Sequence, residues 1–246
     1  MTSKQVMLSL VMVVLVTGGC MNSRGGLTPD YPDRQLWAVA PLRNESGSIQ
    51  ADGLKVADHL AHQLEDAYRI DMLPVNRTIA TMEALQIPQV TNMEQAMQIR
   101  AAMEVDALLI GSITAYDPYD PPKLGLAIEL YVDPRRDPSS FDVRRLQRSA
   151  TDELALPSSA RRSDQPVSTV SIFFDAADPH IRYLIERYGK RRGVDEKDRD
   201  AWRLYRMSMD LYTEFVCHEA STRLLRAEAQ RLAPPPAKTA STEPAS

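Results

Sequence analysis

Apolar and polar positions recur along this chain with two different periods, and the switches between them outline a fold. "LWAVAPL" (Leu36–Leu42) is a short apolar run between polar neighbours, which predicts a buried strand. After the loop "RNESGSIQADG", Leu54, Ala57, Leu60, Ala61, Leu64 and Tyr68 recur at helical spacing, while Lys55, Asp58, Gln63 and Glu65 fall on other faces. "RIDMLPV" (Arg69–Val75) predicts a second short strand, and Asn76–Leu85, with Ile79 and Met82, a short helix. Thr91 and Glu94 have the spacing of a capping box ahead of a helix over Met93–Glu104. "VDALLIGSITAY" predicts a third strand, whose consecutive apolar residues Ala107–Ile110 suit a position buried on both faces.

Past the turn "DPYDPP", Leu124, Leu126, Ile128, Leu130 and Val132 alternate with Gly125, Ala127, Glu129, Tyr131 and Asp133. This period of two predicts a strand with one buried face. "VSTVSIFF" (Val167–Phe174) is another, with Val170, Ile172 and Phe174 on one side. Asp178-Pro179 reads as an N-cap and first helical position, Ile181, Leu184, Ile185 and Tyr188 as that helix's apolar face, and Gly189 as its stop. Asp198–Leu232 has no Gly or Pro, and Ala201, Leu204, Tyr205, Ser208, Leu211, Tyr212, Phe215 and Val216 mark one stripe. As one helix it would be ~50 Å long, so a bend or break is expected. Strands that first alternate with helices and then follow one another define the class: α/β, a single mixed β-sheet flanked by helices, with a long C-terminal helical segment.

The periodicity lapses in three places. Residues 134–166 hold seven arginines and five acidic residues among scattered Pro and Ser, and read as a long surface insertion. The Pro/Ala/Ser/Thr-rich residues 233–246 read as a disordered tail. At the N-terminus, Lys4 precedes an apolar stretch, Val6–Val16, too short for the ~20 residues that span a bilayer. Thr17, Gly18 and Gly19 are small, as a signal-peptidase site requires, and Cys20 follows directly. This arrangement resembles a bacterial lipoprotein signal, although Thr17 stands where Leu is commoner. The resemblance implies that residues 1–19 are removed and that Cys20 becomes the lipidated first residue. Several acyl chains would anchor it stably. Polar residues 20–35 would form a linker and residues 36–232 the periplasmic domain.

Composition adds mostly exclusions. A net charge of −4 carries no basic excess, so nucleic acid is not an expected partner. Two cysteines, Cys20 and Cys217, make no disulfide scaffold.

Within residues 36–133, "AVAPLRNESG", the following helix and strand, and "AMQIRAAMEVDALLIGSITAYD" resemble the CsgG/LpoB-type periplasmic domain, a fold similar to the N-terminal domain of TolB. Its "GADALLxGxVT" appears here as "EVDALLIGSIT" (Glu104–Thr114). The resemblance implies a non-catalytic lipoprotein that binds other envelope proteins, in assembly, secretion or cell-wall regulation; a homo-oligomer stays open. Met21 is not the Asp that retains lipoproteins at the inner membrane, so the resemblance implies the outer membrane, periplasmic side. Where that family makes a tight turn, residues 134–166 intervene. The competing functions are an oligomeric secretion channel of the curli type and a cell-envelope hydrolase. The second has no G-x-S-x-G, H-E-x-x-H or Cys-His framework.

Other candidate chemistry has a plainer account. His59 and His62 share a helix face with Asp58 and Asp66 nearby, but no third strong ligand is spaced for a metal. Cys217 and His218 are adjacent on a helix, so their side chains diverge by about 100° and no catalytic dyad is expected. "NESGSIQADG" lacks the phosphate-loop endings. "KRRG" (Lys190–Gly193) reads as a charge-paired turn, and the aromatics Trp202, Tyr205, Tyr212 and Phe215 as a core stripe. No catalytic, cofactor or metal residue is therefore expected; lipidation at Cys20 is the single predicted site.

Overall fold

A computed structural model describes residues 28–133, 137, 165–192 and 201–233. Cys20, nearly all of the 134–166 insertion, and the tail beyond residue 233 lie outside the described residues. The strands are β1 (Gln35–Val39), β2 (Arg43–Asn44), β3 (Ile70–Met72), β4 (Ala107–Asp117), β5 (Lys123–Val132) and β6 (Ser168–Asp175). The helices are α1 (Gly53–Glu65), α2 (Val75–Ala84), α3 (Met93–Met103), α4 (Pro179–Arg191), α5 (Ala201–Met207) and α6 (Met209–Leu232).

All six strands form one sheet in the order β3-β1-β4-β5-β6, with the short β2 continuing the line of β1 along β4. β3, β1 and β4 are mutually parallel, as helix crossovers require; β5 returns antiparallel to β4 across a short turn, and β6 lies antiparallel to β5. The sheet is mixed, as the sequence pattern predicts.

The two faces of the sheet are covered unequally. On the first, Trp37, Val39, Leu109, Ile113, the even-numbered residues Leu124–Leu130, Val170, Ile172 and Phe174 join one buried cluster with α1, α4, α5 and α6. On the second, Ala38, Ala40, Leu108 and Tyr131 pack under α2 and α3 alone, through Met82, Ala96 and Ile99. The helices of the second face reach the β1–β4 side of the sheet, and among the described residues none covers β6 beyond them: Thr169, Ser171 and Phe173 are exposed.

Several local expectations shift by a residue or two. The cap of α3 is Asn92, whose Oδ1 accepts from Gln95 N at 3.0 Å, while Gln95 Oε1 accepts from Thr91 N at 2.8 Å. The cap thus falls one position later than Thr91, at Asn92, a stronger cap than Thr, and the Gln95 side chain reaches back past it to the Thr91 N–H rather than closing a capping box on the N-cap residue. The break predicted in the C-terminal helix falls at Ser208, which leaves the helical region and caps α6. Gly189 does not stop α4; it is buried within the helix, which runs on to Arg191. Asp178 caps α4 ahead of Pro179 as expected, accepting from His180 N at 2.7 Å. A Cβ on Gly111 would lie 2.4 Å from the Ala127 carbonyl oxygen, so β4 and β5 approach there as only glycine permits.

The folded part also starts before residue 36. Tyr31, inside the segment that reads as a linker, is 1% exposed and packs edge-on against Trp37, with ring centroids 6.1 Å apart.

Candidate functional site

Three arrangements of polar groups stand out, and each is assembled by elements distant in sequence.

The first lies where the chain enters the domain, beside the start of β6 and the last turns of α6. Glu228 is fully buried. Its carboxylate accepts from Tyr31 Oη at 2.7 Å, from Ser168 Oγ, and from the Arg231 guanidinium at 2.7–3.2 Å. Arg231 also donates to Asp137 at 2.6 Å. Burial works against the Arg231 charge, but the hydrogen bonds and charges of Glu228, then Asp137, hold its pKa above the ordinary value. Burial, reinforced by Glu228, raises the Tyr31 phenol and keeps it a donor. Arg69 holds the same entry from outside, donating to the Tyr31 and Pro32 carbonyls. Nearby, Asp106 accepts from Leu36 N at 2.8 Å, its carbonyl accepts from Asp133 N, and Asp133 pairs with Arg100 at 3.2 Å. Asp106 thus ties β1 and β5 to the start of β4.

The second lies between α1, α4 and α6. His218 Nδ1 is 3.1 Å from Gln63 Oε1, and its ring lies 4.8 Å from that of Tyr188. Tyr188 donates to Glu214 at 2.8 Å, and Glu214 pairs with Arg192 at 2.9 Å. Burial, then the charges of Arg191 and Arg192, push the imidazole down to about 4, so it is neutral at pH 7. Cys217, next in sequence, is fully buried and points the other way, toward the Val56 carbonyl at 3.8 Å. Burial pushes its thiol well above the usual range. The two side chains diverge, as adjacent helical residues must.

The third is the open part of the sheet's second face. Ser112, Ala127 and Ser171 form one row across β4, β5 and β6, and Ile110, Glu129 and Thr169 form the next. A recess of about 270 Å³ lies over the β4–β5 half, walled by Arg43 and by Thr91, Asn92 and Met93 at the start of α3. Glu129 accepts from Tyr131 Oη at 2.8 Å, and Arg43 pairs with Glu45 at 2.7 Å. Burial, then Glu129, raises the Tyr131 phenol, so it too stays protonated. The lining mixes small and polar residues with Val90, Met93 and Ile110, and carries one cation and one carboxylate, both already paired. Such a surface suits contact with another chain rather than proton transfer.

His59 bonds to Asp210 and His62 to Glu65, each at 3.3 Å, so the two histidines serve different partners. Among the described residues no three metal-ligating side chains come together. In the "KRRG" stretch, Lys190 pairs with Glu186 and Arg192 with Glu214, within the domain. Tyr205, Tyr212 and Phe215 are core residues, as their stripe predicts. Sequence patterns point to none of Tyr31, Glu228, Arg231, Asp137 or Arg43. Glu228 and Arg231 have only the i, i+3 spacing of an ordinary surface pair.

The class is an α/β domain with a mixed sheet, parallel on one side and antiparallel on the other, between unequal helix layers. No family model matches the chain, and no curated protein matches it either. Solved structures do. The LpoB C-terminal domain from Salmonella enterica is 10% identical, with a TM-score of 0.39 over 68% of this chain and 93% of that one. Lipoprotein GNA1162 from Neisseria meningitidis is 13% identical, with a TM-score of 0.37 over 66% and 99%. A PelC dodecamer from Paraburkholderia phytofirmans is 11% identical, with a TM-score of 0.36 over 82% and 93%. No residue role passes from any of them to this chain.

Proposed function

We propose that this chain is a lipid-anchored periplasmic protein of the cell envelope that binds another envelope protein through the open part of its sheet. The observation that carries the reading is the second face of β4–β6, which no described helix covers, with its recess at Arg43, Asn92 and Glu129. A sheet face left bare beside a fully packed one is an interaction surface in search of a cover. The lipobox-like end at Cys20 supports anchoring, and the buried Tyr31 sets where a tether would leave the domain. The resemblance of residues 36–133 to CsgG/LpoB-type domains supports a non-enzymatic role in assembly, secretion or cell-wall synthesis. Outer-membrane placement rests on Met21 following Cys20.

The curli-type channel is the weaker alternative. β5, the strand with membrane-length alternation, has its apolar residues Leu124, Leu126, Ile128 and Leu130 within the core cluster shared with α4 and α6. They could face lipid only if that core opened.

The experiment places a photo-crosslinking residue at Arg43, at Glu129 or, as control, at Glu186 on α4, in the full-length chain in cells. An adduct with one envelope protein from the first two positions and not from the control is expected. In parallel, Cys20→Ser should release the chain from the membrane fraction. Identical adducts from all three positions, or none, would remove the open face as the binding surface; an unmodified wild-type N-terminus would remove the anchor.

A further inference from the structure

The two edges of the sheet are guarded differently. One is β3, three residues long and carrying Asp71. The other is β6, eight residues in unbroken antiparallel register with β5 and, among the described residues, with no strand on its outer side. Proteins keep exposed edges from pairing by brevity, bulges, proline or charge. β6, "STVSIFFD", has no bulge against β5 and no proline, and its single charge is at its last residue. Phe173, in its interior, is 59% exposed. Such an edge is a template for a further strand.

We propose that β6 is the contact through which two copies of this chain associate, edge to edge and antiparallel, with Ser171 on the two-fold axis. The argument is self-complementarity. With Ser171 opposite its own counterpart, Val170 of one copy faces Ile172 of the other, Thr169 faces Phe173, and Ser168 faces Phe174. Directly opposed β-branched, aliphatic and aromatic pairs of this kind stabilise antiparallel ladders. A one-residue slip would put the apolar face of one copy against the polar face of the other. A two-residue slip centred on Ile172 would bring the Asp175 carboxylate into the ladder opposite Thr169, away from Lys123, its partner at 3.4 Å. Centred on Ser171, the ladder takes in Ser168–Phe174 and leaves the charge outside. One stretch serves both sides of the contact, as an isologous interface demands. The two core faces then lie side by side in one continuous sheet, and each exposed Phe173 gains a cross-strand partner. This contact uses the strand edge, and it stands or falls independently of what the open face binds.

The test uses the full mature chain in detergent. Residues opposed at an antiparallel axis have Cα atoms about 4.5–5.5 Å apart, within disulfide reach, whereas the two copies of Thr169 would be about 13 Å apart. Mild oxidation should therefore link Ser171→Cys into a dimer and leave Thr169→Cys unlinked. Ser171→Lys, on the exposed side of the strand, should convert a sedimenting dimer into monomer without changing circular dichroism, and should remove any concentration dependence of the melting temperature. A wild-type monomer at every concentration, or equal cross-linking of both cysteine variants, would overturn the proposal. So would slow amide exchange along the outer edge of β6 in a monomeric sample, which would mean that the edge is covered by the chain itself or by a bound peptide.

Discussion

The end of the domain where the chain enters and the end farthest from it handle charge in opposite ways. At the entry, the side chains of Glu228, Arg231 and Asp137 are buried; Glu228 bonds to Tyr31, Ser168 and Arg231, and Arg231 bonds on to Asp137. At the far end, Lys55 and Asp210 pair at 2.6 Å and Arg206 and Asp120 at 2.5 Å, with Asp210 and Asp120 largely in water. The same end carries exposed apolar side chains, among them Ile49, Tyr119 and Met207. Similar bonds therefore have different weight. A buried charge without its partner cannot be hydrated, whereas an exposed one simply regains water. The entry is where a pull on the N-terminal segment would reach the domain, and there α6, β6 and Tyr31 are tied to one carboxylate.

The sharpest way to break this contrast is Glu228→Gln. It keeps the volume and leaves Arg231 paired with Asp137, but it turns one acceptor oxygen into an NH2 facing the donors Tyr31, Ser168 and Arg231, and a lost hydrogen bond to a charged group costs about 1.5–3 kcal/mol. A denaturant midpoint lowered at unchanged slope is the expected result. A change below ~1 kcal/mol would mean that water reaches the cluster and that the two ends are alike.

An intermediate effect belongs to His218, halfway along α6. Its folded pKa of about 4 lies below the unfolded value of 6.5. The unfolded state therefore binds the proton first as pH falls, so this contribution is complete above pH 6.5 and is lost between there and pH 4. Stability measured from pH 7 to 5 should decline in the wild type and decline less in His218→Gln. Equal slopes would place the imidazole in water.

The smallest effect is expected from Asp210→Asn. Although hydrogen bonding and charge from Lys55, aided by His59, hold Asp210 below the usual carboxylate range, the pair is exposed, and such pairs contribute about 0.2–1 kcal/mol. That difference should fade as salt rises. A loss as large as that of Glu228→Gln would erase the comparison.

The sequence by itself determined the succession of elements and the mixed sheet. Each depends on side-chain period, and period is local: Leu124–Val132 can bury one face only as a strand, and Leu54, Ala57, Leu60, Ala61 and Leu64 only as a helix. It also argued against a Cys217–His218 dyad, since neighbours on a helix diverge. Tertiary structure decided what each polar residue means. Glu228 and Arg231 look like a surface pair until Tyr31, 197 residues before Glu228, closes over them. Thr91 and Asn92 compete for the cap of α3; Asn92 takes the Gln95 N–H, and Thr91 is held instead by the Gln95 side chain. The bareness of β6 depends on how far α2 and α3 reach across the sheet. Burial, unlike periodicity, is set by segments remote in sequence, and no local pattern encodes which of them will arrive.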